Sequence, residues 1–346
     1  MSSIIVLLVT FLSILGCQRT PSIDLDRPKP RNPTFSRGVS LGLFASGSSP
    51  DERVRIYLGL LDEIEEVGAT DVQIVTRWSQ HDVRSSTMGP TLGLSPTDLE
   101  LRTVLRTAHA KNLRSFLMPI IHVEHRAQGA WRGALEPHDP DAWWHGYERF
   151  ILHHAKIAED EDVDLFAIGS ELVTLESQQA RWNVLITQVR ATYHGRITYS
   201  ANWDHFEPVR IWDAVDVVGI SVYPPLSTSP HPTEAELVAG WTTFARHLRS
   251  WATRTDRNYM FTEIGYPSAP FAASRPWIHS SRGPADLELQ RLCYRAMFRT
   301  WQDDERLTGI FVWNWFGIGG PEDPSHTPRN KPAQAVLSHW FRESAH

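Results

Sequence analysis

Ile168-Gly169-Ser170-Glu171-Leu172 and Met260-Phe261-Thr262-Glu263-Ile264-Gly265-Tyr266 are two apolar runs that each deliver a glutamate at or near their end. Strands of a parallel sheet are covered on both faces and read as near-continuous apolar runs. A carboxylate closing such a run is costly to bury unless it faces a site. These two runs therefore predict strands of one parallel sheet whose C-terminal edge carries chemistry.

Working outward, similar runs recur at 39–44, 71–76, 114–121, 197–201, 217–222 and 307–313, so that the runs at 165–169 and 259–262 become the fourth and seventh of eight. Helical patterns alternate with them at 51–67, 97–111, 141–158, 181–193, 207–214, 234–254, 286–301 and 333–341. Strict alternation predicts an α/β fold with a parallel sheet, and eight repeats predict closure into a (β/α)8 TIM barrel. No shift in composition divides residues 36–346, which read as one domain. The stretches 79–96, 122–140, 267–284 and 317–332 are long and rich in Gly, Pro, Ser or aromatics. They fall after strands two, three, seven and eight, on the face where barrels build their sites.

The chain has 346 residues, 41% of them hydrophobic, with a net charge of −6. No basic stripe is present, which argues against nucleic acid as a partner. Fourteen tryptophans are an excess, suited both to filling a large core and to offering flat platforms for sugar rings. Of the two cysteines, Cys293 sits in a helical pattern as a small apolar residue, so the domain has no disulfide framework. Residues 4–15 form an apolar run too short to span a bilayer and end in Ile14-Leu15-Gly16-Cys17. Residues 1–17 are expected to be a lipoprotein-type signal peptide with Cys17 as the lipidated residue, and the Pro-rich segment 18–35 an extended tether. The expected location is the cell envelope, with the protein a monomer held at a membrane by its lipid anchor.

The strand ends supply the candidate site. They are Arg77 and Trp78 after strand two, His122 after strand three, Ser170 and Glu171 after strand four, Asn202 and Trp203 after strand five, Tyr223 after strand six, Glu263 after strand seven, and Trp313 and Trp315 after strand eight. Nearly every strand delivers a polar or aromatic group, as a carbohydrate site requires. Two carboxylates facing each other across a barrel mouth are the equipment for breaking a glycosidic bond with retention. Arg77 and Tyr223 are expected to keep Glu263 ionised, whereas Glu171 has no evident cationic partner, which suits a proton donor.

The strings Gly169-Ser170-Glu171-Leu172, Gly219-Ile220-Ser221-Val222-Tyr223-Pro224, Thr262-Glu263-Ile264-Gly265-Tyr266 and Phe311-Val312-Trp313-Asn314-Trp315 resemble a clan A glycoside hydrolase, most of all family 113, whose known members are β-mannanases. The resemblance covers the whole barrel. It implies Glu171 as acid/base, Glu263 as nucleophile, a hydrogen bond from Tyr223 to that nucleophile, and Trp313 stacked under the sugar. It also implies that Arg77 and His122 line the same subsite, and that no cofactor is needed. Most of the clan carries Asn directly before the acid/base. This chain has Ser170, so Ser170, a water or Asn202 would have to take over the contact to the sugar 2-hydroxyl.

Two other functions fit the residues less well. His122, Glu124 and His125 offer metal-ligand spacing for a metal-dependent hydrolase, but an extended segment puts only alternate residues on one face and a third ligand would still be needed. A barrel that only binds carbohydrate in the envelope is the other. His81, His109, His138 and His145 read as surface or helix histidines.

Overall fold

The computed structural model describes residues 35–45, 49–126, 130–279 and 283–343. The expected signal peptide with Cys17 and nearly all of the tether lie outside the described residues. Eight parallel strands close into a barrel in chain order. They are β1 (Ser36–Gly42), β2 (Asp71–Gln80), β3 (Arg114–Val123), β4 (Leu165–Ser170), β5 (Arg196–Asn202), β6 (Val217–Val222), β7 (Tyr259–Ile264) and β8 (Leu307–Val312). The ring closes where β1 pairs with β8, Ser36 opposite Gly309.

Among the described residues, seven α-helices surround the barrel: α1 (Pro50–Glu66), α2 (Asp98–Ala110), α3 (Pro140–Asp160), α4 (Gln179–Thr192), α5 (Glu234–Thr255), α6 (Leu287–Trp301) and α7 (Pro332–Glu343). Their starts are written in sequence. Thr97 and Thr233 each form a capping box with the glutamate three residues on, Glu100 and Glu236. The eighth helix, expected at 207–214, is absent. An isolated eight-residue helix is marginal, and Phe206 before it has no side-chain oxygen to cap its start. The segment between β5 and β6 instead runs as turns, with Phe206, Ile211 and Trp212 buried and the Trp212 indole donating to the Phe206 carbonyl at 2.9 Å.

Residues alternate in and out along each strand. On β3, Phe116, Met118 and Ile120 belong to the barrel interior, while Leu117, Ile121 and Val123 pack against the helices. The interior floor is tight: a Cβ on Gly38 would lie 2.2 Å from the Phe311 ring, so only glycine fits. Polar groups inside satisfy one another. Ser40 donates to Gln73, Gln73 donates to the Thr262 carbonyl, and Ser200 pairs with Thr262. Cys293 is fully buried.

Two departures from regular pairing matter for the site. On β7 the register jumps from Ile220↔Phe261 to Ser221↔Glu263, leaving Thr262 as an extra residue. On β4 it jumps from Ala167↔Thr198 to Ser170↔Ser200. Bulges of this kind re-aim the side chains that follow, and here each immediately precedes one of the two glutamates. The strands β2 and β3 also outrun their expected ends, pairing over ten positions from Asp71↔Arg114 to Gln80↔Val123.

Candidate active site

A cavity of about 810 Å³ opens at the C-terminal mouth of the barrel. Glu171 and Glu263 both line it, together with Arg77, His122, Asn202, Trp203, Tyr223 and Trp313. Eight of the sequence candidates thus converge on one space.

Glu171 is buried and takes a left-handed backbone, φ +54°. That conformation is sparsely populated for a residue with a side chain and persists only where the surroundings hold it. Here the Glu171 amide donates to the Ser200 carbonyl at 2.8 Å, and the next amide, Leu172, donates to the Tyr199 hydroxyl at 2.9 Å. Tyr199 in turn donates to Glu176 at 2.6 Å, and His205 bonds the other Glu176 oxygen at 2.7 Å. This network behind β4 fixes the backbone that presents Glu171. Burial raises the Glu176 carboxyl.

Glu263 accepts a hydrogen bond from Ser221 at 2.9 Å. Its carboxyl is pushed up to about 7, first by burial and then by the charge of Glu171, with Arg132 and Ser221 pulling the other way. The expected partners differ. Arg77 forms no ion pair with either glutamate, and its guanidinium lies over the Phe44 ring at 4.9 Å. Tyr223 shares the cavity without hydrogen-bonding Glu263. Ser221 makes that bond because the β7 bulge brings Glu263 opposite it.

The cation at the centre of the site is Arg132, in a short 3-10 turn of the β3–α3 loop. One Nη2 atom lies 2.7 Å from Glu171 Oε2 and 4.0 Å from Glu263 Oε2. The two oxygens are therefore no farther apart than those lengths end to end, a bound that admits the separation of about 5–5.5 Å found in retaining glycosidases. The expectation that Glu171 lacks a cationic partner is overturned. Arg132 lies in a loop of no periodicity, 39 positions before Glu171 in sequence, and only the barrel's closure brings it in.

His122 faces the cavity. Its imidazole is pushed down to about 4 by burial, with Arg77 and Arg126 adding to the effect, so the ring is neutral near pH 7. Ser170 is almost wholly buried and does not reach the cavity wall. Its hydroxyl meets Arg132 Nη2 at 3.4 Å. Asn202 does line the cavity.

Besides Ser170, two candidates do not line the cavity. Trp78 points outward and packs on Phe150, His153 and His154 of α3. Arg77 and Trp78 are neighbours on one strand, so alternation allows only one of them to face the mouth. Trp315 is fully buried and donates to Glu63 of α1 at 3.0 Å. The strand has ended at Val312, so a period of two no longer carries from Trp313 to Trp315. The proposed metal trio also comes apart: His122 faces the cavity, and His81 rather than His122 joins Glu124 and His125, on the exposed surface. Trp131, Trp277 and His279 line the cavity as well. They sit in the long loops, where pattern gives no direction to a side chain.

Residues 58–323 match the sequence profile of Glycoside Hydrolase Family 113. The chain belongs to glycoside hydrolase family 113. Family 113 membership makes it an O-glycosyl hydrolase of clan A on a TIM barrel. Among solved structures, it is similar to the family 113 β-mannanase AaManA from Alicyclobacillus acidocaldarius, with 26% identity and a TM-score of 0.78 over 89% of this chain and 97% of that one. A family 113 β-1,4-mannanase superposes at a TM-score of 0.79 and 23% identity, covering 89% of this chain and 99% of the other. The likeness to the β-glucuronidase of Faecalibacterium prausnitzii, at 14% identity and a TM-score of 0.59 over 89% of this chain and 49% of that one, reflects the barrel alone. None of the curated proteins matches the chain.

Proposed function

We propose that the protein hydrolyses β-linked mannan-type chains with retention, Glu263 acting as nucleophile and Glu171 as acid/base. The observation that carries the assignment is the pair of buried carboxylates held on one guanidinium at the ends of β4 and β7. Glu263 attacks the anomeric carbon while Glu171 gives its proton to the departing oxygen. The glycosidic bond breaks and a glycosyl ester to Glu263 forms. Glu171 then takes a proton from a water whose oxygen attacks the same carbon and frees Glu263. Two inversions leave the configuration retained.

The resting site favours a proton on Glu263, whereas the first step needs it on Glu171. A shift of Arg132 toward Glu263 as substrate enters would lower the Glu263 carboxyl and favour its ionised, nucleophilic form. Neutral His122, with Asn202 and Trp313, supplies hydrogen bonds and a stacking face to uncharged sugar. Trp313 is buried and lines the cavity.

Glu263→Ala should abolish reducing-end release from mannan, and azide should partly restore turnover to Glu171→Ala on an activated aryl glycoside. Product anomers followed by NMR should first show the configuration of the substrate. Wild-type-like rates in both variants, or an inverted first product, overturn the assignment. Screening glucan and xylan beside mannan tests the substrate separately.

We propose further that the enzyme is held at a membrane through acylated Cys17. Cys17→Ser should move it from the membrane fraction to the soluble fraction and abolish incorporation of a labelled fatty acid. Unchanged partition would remove the anchor.

A further inference from the structure

Beyond the Gln80↔Val123 pair the ends of β2 and β3 continue side by side. Glu124 N donates to the Gln80 carbonyl at 3.0 Å and His125 N to the His81 carbonyl at 2.8 Å. This continuation sets the His81 and His125 rings against each other, with centroids 4.1 Å apart. One donor atom from each of His81, Glu124 and His125 lies within 4.8 Å of the other two. Thr91 Oγ1 donates to Glu124 Oε1 at 3.1 Å and leaves the second oxygen open. Among the described residues, neither imidazole has a hydrogen-bond partner.

We propose that His81, Glu124 and His125 bind one divalent transition ion of the zinc type. Two imidazoles and a carboxylate are borderline donors that suit zinc, nickel or copper better than magnesium or calcium. Zn–N bonds of about 2.0–2.1 Å put tetrahedral donors roughly 3.4 Å apart. The three side chains are exposed, so small rotations close the remaining gap and water completes the shell. Thr91 is the outer partner that orients the carboxylate, a role usual around bound metals. The cluster lies outside the wall of the cavity that holds Glu171 and Glu263, so the ion takes no part in bond cleavage. It ties the loop after β2 to the loop after β3, and that second loop carries Arg132.

The test is titration of tag-free, metal-stripped protein with zinc by calorimetry, and with cobalt by its visible d–d absorption. One ion per chain is expected. His81→Ala and His125→Ala should each weaken binding roughly tenfold or more, and Thr91→Ala by a smaller factor. Circular dichroism of each variant should match the parent, since all three ligands are at the surface. Zinc should raise the Tm of the parent but not of His81→Ala. Absence of a stoichiometric ion in the parent, or unchanged affinity in both histidine variants, overturns the site.

Discussion

At the scale of single residues, the decisive relation is between Arg132 and the two carboxylates it spans. Glu263 is raised from 4.5 to about 7 by burial and by Glu171, so it is protonated in the fold at a pH where the unfolded chain has lost that proton. Stability contributed this way is complete below about pH 4.5 and declines as pH rises toward 7. Glu263→Gln should therefore stabilise the protein at pH 8, with the gain gone at pH 4. Urea melts at the two pH values measure it. Glu171→Gln removes the charge that helps hold Glu263 up. On an aryl glycoside with a good leaving group, the acid limb of its glycosylation burst should move to lower pH than that of the parent. Arg132→Met removes a group that pulls Glu263 down, and should move the acid limb of kcat/KM to higher pH. Limbs that stay in place in both variants would mean that Arg132 and Glu171 do not set the charge on Glu263.

At the scale of elements, alternation separates side chains that sequence proximity runs together. Trp78 and Trp313 both follow or end apolar runs, yet one packs on α3 and the other lines the cavity. Trp78→Ala should cost about 3 kcal/mol in stability, as large-to-small changes against a core do, and leave KM unchanged. Trp313→Ala should raise KM or lower kcat well beyond any loss of stability. A urea melt beside steady-state kinetics distinguishes them, and a catalytic defect in Trp78→Ala with normal stability would contradict the placement. Seven of the eight helices and all eight strands were legible, because 3.6- and 2-residue periods are local. Glu171 and Glu263 were legible because a carboxylate closing an apolar strand is anomalous wherever the strand ends up. The bulges on β4 and β7 were not legible, since an extra residue in a ladder depends on the partner strand. Arg132 was not legible for the same reason at longer range: a loop arginine has no pattern of its own, and its partners are supplied by β4 and β7.

At the scale of the whole molecule, the barrel is an uneven ring. Seven sectors are faced by a helix, and the sector between β5 and β6 is faced by turns pinned through a few contacts, among them Arg257 donating to the Trp212 carbonyl at 3.0 Å. A helix protects the strands beneath it by cooperative unfolding; a run of turns can detach piecemeal. Amide hydrogens of Thr198, Tyr199 and Ser200 should then exchange through a local opening of lower free energy than those of β2 or β3, and Arg257→Ala should accelerate β5 further while leaving β2 as it was. Mass-resolved exchange on proteolytic fragments reads both. Tyr199 ties β5 to the backbone that presents Glu171, so the sector faced by turns runs directly behind that carboxylate. Heat should silence the enzyme through that sector before the barrel itself comes apart.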